Sequence, residues 1–277
     1  ARVLLLERRP ELGGWLRWGG TPAERTAAGE LEHAAAAQPG VECRTGSTAA
    51  GWYSEGVLAV TSAAGLVELH AGAVVLASGA HERPLAFADN DRPGVLLASG
   101  AQRLLRAHRV RPGHRVVVVT AEDYGHVVAA ELVAHGVRVE AVADSRRAGG
   151  AAAAAVAVAL HDGGVELLAD TTVRAASGRA GVRGVVLDGA DRRGRTIACD
   201  TIAVANGRRP ARELLLQRAA AGGLELAAPA EVLAPAIDPS RPVVDGWWVA
   251  GGAGGAGGVD EAIRAGGAAG AAAAARG

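Results

Sequence analysis

The chain has 277 residues, 49% apolar and 21% charged, with 29 basic against 29 acidic side chains. That composition describes a globular protein large enough for one large or two medium domains, and zero net charge offers no field for nucleic acid or an anionic membrane surface. Every basic residue is arginine, so the chain holds no Schiff-base or phosphate-loop lysine. Its two cysteines, Cys43 and Cys199, form no CxxC and build neither a dithiol centre nor a cysteine-ligated iron–sulfur cluster by themselves.

Val3–Glu7 is a short apolar run closing on an acid, the pattern of a strand in a parallel sheet, and Gly13-Gly14 follow it. Between Val41 and Ala73, short alternating segments around Gly51, Gly56 and Gly65 predict an antiparallel meander. Ala73–Ala77 is a second apolar strand, stopping at Ser78-Gly79-Ala80. Arg115–Val119, a helix over His126–Ala134 capped by His135-Gly136, and Val137–Ala143 together predict a βαβ unit reaching Asp144. The Ala148–Leu160 run is apolar but too short for a membrane span, and no secretory signal pattern is visible. "VRGVVLDGADRRGRTIACD" predicts a second antiparallel patch with a turn near Asp191. Ile197–Ala205 then reads as a strand ending in Asn206-Gly207, and Gly246–Ala250 as another that runs into glycines. A helix from about Val259 closes the chain, its glycines permitting close packing.

The same plan therefore occurs twice. The predicted fold class is α/β, with two Rossmann-like domains, the second inserted in the first, and small antiparallel meanders. Residues 1–109 and 206–277 form the discontinuous outer domain, and 110–205 the inserted one.

Three stretches could carry chemistry. In a Rossmann unit the second strand ends on a carboxylate that accepts the ribose hydroxyls, about 20 residues after the glycine fingerprint. Glu7 has that setting, which predicts a first strand, a glycine turn and a helix ahead of Ala1. Glycines at 13 and 14 let backbone approach phosphates closely. Ser78-Gly79 end the next strand with small residues. The glycine-dense loop from Gly251 leads into a helix whose amino end offers free N–H groups to an anion.

Taken in this order, the stretches resemble the two-dinucleotide-domain flavoprotein fold of the pyridine-nucleotide disulfide reductases. More narrowly, "GAHERPLAFADNDRPGVLLASGAQRLL", "RPGHRVVVVTAEDYG", "VAHGVRVEAVADSR" and "TGSTAAGWYSEG" resemble the alpha-subunit family of heterotetrameric sarcosine oxidase, over nearly the whole chain. The resemblance implies that the outer domain holds FAD, or NAD in the same site. It places Glu7 and the neighbouring Arg8 at the ribose and Gly13 and Gly14 along the diphosphate. Ser78 and Gly79 stand where the superfamily has Thr-Gly, and Gly251 and Gly252 at the middle of the cofactor. Gly252 replaces an Asp that many members use on the ribitol. Also implied are oxidative demethylation of a small secondary amine and partner subunits of a hetero-oligomeric amine oxidase or dehydrogenase; the cytoplasmic setting expected for the chain comes instead from its two cysteines, read as inert structural thiols in a reducing compartment. A full alpha chain carries a further folate-binding portion that this stretch does not include.

The inserted domain departs from the family pattern. Where a nicotinamide-binding turn wants G-x-G-x-x-G, "TAEDYG" puts Thr120 and Glu122 at the first two glycine positions and keeps Gly125 alone. A carboxylate beside a pyrophosphate at 4 Å and an effective dielectric near 20 costs about 4 kcal/mol, and Asp123 adds to it. Asp144 keeps the ribose-type position, so the fold persists while NAD(P) binding there is doubtful. His81, Glu82 and Arg83 could be polar groups near a flavin. His33, His126 and His161 show no metal spacing. Two alternatives stay open: a free-standing FAD-dependent NAD(P)H oxidoreductase, and a non-catalytic dinucleotide-bound structural subunit.

Overall fold

A computed structural model describes residues 2–53, 56–147, 154–190, 193–221 and 236–276. The chain forms two compact units, Ala1–His81 with Arg209–Gly277, and Glu82–Arg208. In chain order the first unit opens with β1 (Val3–Leu6), α1 (Pro22–Ala37) and β2 (Val41–Arg44), then β3 (Thr48–Trp52), β4 (Val57–Ser62), β5 (Gly65–His70) and β6 (Val74–Leu76). The short strand β7 (Ala80–Glu82) leads into the second unit, which contains β8 (Val95–Leu97), α2 (Ala98–Arg106), β9 (Arg115–Thr120), α3 (Asp123–Ala134) and β10 (Arg138–Asp144). It continues through α4 (Ala154–Asp162), β11 (Glu166–Leu168), β12 (Thr171–Ser177), β13 (Gly184–Gly189), β14 (Arg195–Ile197) and β15 (Thr201–Ala205). After β16 (Arg208–Pro210), the first unit resumes with α5 (Glu213–Ala221), β17 (Trp247–Val249) and α6 (Val259–Ala274).

The second unit is a five-stranded parallel sheet in the order β11-β10-β9-β15-β8. Both of its faces are covered, as a parallel sheet requires. Val116 and Val118 of β9 pack with Val128, Leu132 and Leu160 of the helices. Val117 and Val119 point the other way, onto Val185 and Leu187 of the antiparallel sheet β12-β13-β14. The continuous valine run of β9 is thus a strand buried on both sides. Residues 82–109, grouped by sequence with the outer domain, supply β8 and α2 to this unit, because β8 pairs with β15 through Ile202–Val204.

In the first unit, β1 pairs with β2 in parallel, and β6 with β17. The meander is β3-β4-β5; Val41–Arg44, which the sequence pattern placed in it, instead accompanies β1. Trp247 packs edge-on to Trp52 at 5.0 Å in a core with Leu76, Leu215 and Val249. α6 seats Ala269 against Trp248 and Ala250. Its alanines make that contact, whereas side chains added at Gly266, Gly267 or Gly270 would meet nothing within 4 Å, so close packing does not require those glycines.

Ile197–Ala205 is not one strand. It breaks at Cys199-Asp200 into the meander edge β14 and the central strand β15, because the Asp200 carboxylate is held by the N–H groups of His114 and Arg115 at 3.0 and 3.1 Å. The turn predicted near Asp191 lies outside the described residues.

Candidate functional site

In the first unit, β1 delivers Glu7 to the end of a parallel strand. Its backbone is fixed by Glu7 N–H to Arg44 O at 3.0 Å and by Ser47 N–H to Glu7 O at 2.9 Å. The half-buried carboxylate accepts the Arg9 N–H at 2.8 Å, and no ion pair to it is seen among the described residues. Arg8 is exposed beside it, while the Arg9 guanidinium lies over Trp18 at 4.2 Å. Gly13 and Gly14 both take left-handed backbone, φ 93° and 52°, and open a short 3-10 turn, Gly14–Arg17. A side chain at Gly14 would meet nothing within 4 Å, so the space beside this backbone is open.

Ser78-Gly79 and Gly251-Gly252 come together. A Cβ at Gly252 would lie 3.3 to 3.5 Å from the backbone of Gly79 and Ala80, a tight contact that a side chain could make only if the neighbouring backbone gave by a few tenths of an ångström. Ser78 Oγ–H donates to Ala211 O at 2.5 Å, and Ala211 N–H returns to Gly79 O at 3.0 Å, so the Ser78 side chain is a brace for this corner. Buried Arg212 donates to Ala253 O at 2.5 Å and ties the glycine turn to the same corner. The amino end of α6 differs from the expected anion site. Asp260 and Glu261 occupy its first turn, and Glu261 accepts the Gly257 N–H at 2.8 Å. No hydrogen bond among the described residues joins Glu7, Arg8, Gly13 or Gly14 to the 78–79 and 251–252 corner.

The second unit arranges the same kind of strand end differently. Gly125 is required where α3 leaves β9, because a Cβ there would sit 2.4 Å from Thr120 Oγ1. Thr120 Oγ1 accepts the Glu122 N–H at 3.0 Å and donates to Glu122 O at 2.7 Å, so α3 begins at Asp123 rather than at His126. Asp144 is buried and fully engaged. Arg146 grips both carboxylate oxygens, Nε to Oδ1 at 3.0 Å and an Nη to Oδ2 at 2.7 Å, and the Arg146 N–H adds a bond at 2.9 Å. His126 Nε2 stands 3.6 Å from Oδ2, and the other arm of Arg146 pairs with Asp123 at 2.9 Å. Burial works against the Asp144 charge, yet the Arg146 hydrogen bonds and the charges of Arg146 and His126 outweigh it and hold the carboxyl below its usual range. Arg146 was not singled out by sequence; the signal was its place two residues beyond the strand-end acid.

A cavity of about 110 Å³ opens at the carboxyl ends of β9 and β15, lined by Leu85, Thr120, Ser145, Thr171 and Asn206 among others. Sheet order reverses between these strands, the position where open α/β sheets receive ligands. The volume falls well below the roughly 300–1,000 Å³ of sites that enclose drug-sized molecules.

The remaining candidates are separate. His81 stands 4.0 Å from Glu213, and Glu82 accepts the Ser99 N–H at 3.0 Å. Cys199 is buried, and burial pushes its thiol up to about 12, while Cys43 is half-buried in β2. Among the described residues no cluster of three or more His, Cys, Asp or Glu side chains could hold a metal ion, and no helix is long and apolar enough to cross a membrane.

This architecture is that of a two-unit α/β oxidoreductase with dinucleotide-type sheets. Residues 3–273 match the family described as pyridine nucleotide-disulphide oxidoreductase, and the chain belongs to that family of FAD- and NAD(P)-dependent oxidoreductases. It is 36% identical to the alpha chain of sarcosine oxidase from Corynebacterium sp. (strain P-1) in an alignment 174 positions long that covers 56% of this chain and 18% of that protein. It is 33% identical to the corresponding chain from Rhizobium meliloti (strain 1021) over 54% of this chain and 17% of that one. One of the opine oxidase chains of Agrobacterium tumefaciens (strain Ach5) is 30% identical over 50% of this chain and 31% of its own length. The matched part thus spans about a fifth of the length of the sarcosine oxidase relatives. Among solved structures, thioredoxin reductase of T. acidophilum superposes with a TM-score of 0.75 at 16% identity, covering 99% of this chain and 90% of that one. L-proline dehydrogenase from P. horikoshii gives 0.62 at 24% identity, over 91% of this chain and 46% of that one. These two likenesses are of fold.

Proposed function

We propose that this chain is the dinucleotide-holding part of a hetero-oligomeric amine oxidoreductase of the sarcosine oxidase kind, acting in the cytoplasm on a small secondary amine with partner subunits. FAD, or NAD in the same site, binds the first unit. Glu7 and Arg8 face its ribose, Gly13 and Gly14 its diphosphate, and Ser78, Gly79, Gly251 and Gly252 its middle. The open backbone at Gly14 and the close approach of Gly252 to Gly79 suit a flat cofactor that needs main chain rather than side chains beside it. When bound, the cofactor supplies two-electron redox chemistry, and the chain binds and orients it. Sarcosine and opines are both N-substituted amino acids, and the identities to sarcosine oxidase and opine oxidase chains favour that substrate class.

One observation supports the choice over a free-standing NAD(P)H oxidoreductase: in the second unit Arg146 already engages Asp144, the strand-end acid, and also pairs with Asp123 in the turn between β9 and α3. The test is to purify the chain, identify any released nucleotide by mass spectrometry, and add NADH anaerobically. A dinucleotide in stoichiometric amount, with no rapid bleaching of flavin by NADH, is the expected result. Fast reduction by NADH, or protein free of any dinucleotide, overturns it.

A further inference from the structure

The chain passes between its two units twice, at His81/Glu82 and at Arg208/Arg209. Inside the second unit the two passages are bonded to each other, Arg83 N–H to Gly207 O at 2.9 Å. Each is also held by a side chain. On the outgoing passage, the Glu82 carboxylate accepts the Ser99 N–H in the first turn of α2. On the returning passage, Gly207 N–H donates to Glu122 Oε1 at 3.0 Å, and the Arg208 guanidinium lies 4.5 Å over the ring of Tyr124.

Glu122 and Tyr124 belong to the Thr120–Gly125 turn, where a nucleotide-binding sheet carries its phosphate glycines. They are also well anchored. The Glu122 backbone is gripped from both sides by Thr120 Oγ1. The Tyr124 hydroxyl donates to Gln102 Oε1 at 2.7 Å; buried Gln102 donates to Glu131 at 2.8 Å, and Arg106 donates to the other Glu131 oxygen at 3.2 Å. A hydrogen bond to an ionised acceptor is roughly twice as strong as a neutral one, and an arginine over an aromatic face adds electrostatic attraction.

We propose that this turn has exchanged phosphate recognition for a clamp, in which Glu122 and Tyr124 are positioning residues that hold the returning chain at Gly207–Arg208 while Glu82 holds the outgoing one. The residues that break the glycine spacing thus have a positive role and are more than losses. The clamp is independent of which nucleotide the first unit holds.

The test uses the full chain and reads the backbone amides of Gly207 and Arg208 by NMR. In Glu122→Gln, which keeps an acceptor oxygen and loses the charge, the Gly207 amide proton moves upfield and its exchange with solvent rises only slightly. In Glu122→Gly exchange at Gly207 rises by about tenfold or more through local opening, with Val118 and Ala203 in the sheet unchanged. Tyr124→Leu has the corresponding effect at Arg208 and leaves the Gly207 proton shift in place. An unmoved Gly207 proton in Glu122→Gln overturns the clamp even if the glycine variant does not fold. So does unchanged exchange at Gly207 in a folded Glu122→Gly, or at Arg208 in Tyr124→Leu.

Discussion

Both units place an acid at the end of a parallel strand and a glycine-bearing turn near a helix or 3-10 segment, and they treat that plan in opposite ways. In the first, Glu7 is half-buried and accepts the N–H of Arg9, with Arg8 exposed alongside and open space beside Gly14. In the second, Asp144 is enclosed by Arg146 and His126, and the turn's own carboxylates are bonded to Gly207 and Arg146. The difference teaches that the same strand-end plan can have its acid and turn carboxylates engaged by the chain's own groups in one unit and left largely unengaged in the other.

The comparison can be broken most forcefully at Arg146. Removing it leaves Asp144 buried without its main partner, and Arg146→Ala is expected to cost about 3 kcal/mol of unfolding free energy, the low end for such a pair because the guanidinium is itself a third exposed. Urea unfolding checks this; a loss below about 1 kcal/mol would mean the second unit is not held by internal compensation. Next comes Gly252→Val. A Cβ there already presses on Gly79 and Ala80, so dinucleotide content should fall about tenfold, near 1.4 kcal/mol of binding. Absorbance and mass spectrometry of released nucleotide read it, and full retention would remove the 251–252 corner from the site. Ser78→Ala deletes the brace to Ala211 O and is expected to lower stability by about 1 kcal/mol. A change in nucleotide content with no change in stability would instead make Ser78 a direct ligand.

The smallest effect is on pH dependence. The Asp144 carboxyl lies below its ordinary 3.8, so its contribution is present above that value and is lost as pH falls through the depressed one. Wild type should therefore lose stability in strong acid along a limb that Asp144→Asn lacks. Identical acid limbs in the two proteins would show that Asp144 is not held as a charged group.

Part of the second unit's sheet was legible, because β9 is a continuous valine run and His135-Gly136 closes α3 ahead of β10, with Val137 N–H bonded to Leu132 O at 2.9 Å, whereas the three-residue strands β8 and β11 carry too little pattern to be read. The replaced glycines at Thr120 and Glu122 were legible too. What those residues now do was not, since Glu122 meets Gly207 from 85 positions away. The break at Asp200 was hidden for the same reason, its partners His114 and Arg115 lying far upstream. α1 is not among the sequence-based expectations, although its start has a local signal: Thr21 and Glu24 form a capping box with Pro22 at the first helical position. In the first unit, the strand ends at Glu7 and Ser78 followed from small and apolar residues. The close approach of Gly252 to Gly79 depends on chain folding back from some 170 residues later, which no local pattern records.

The two cysteines have a practical consequence. Cys43 lies in β2 of the first unit, half-buried, and Cys199 is buried in the second with its thiol pushed up to about 12. Alkylation depends on thiolate and access, so a maleimide dye near neutral pH should tag position 43 alone. That gives a single fluorescent reporter on the first unit without engineering, and a second tag appearing at position 199 would report that the other unit has opened.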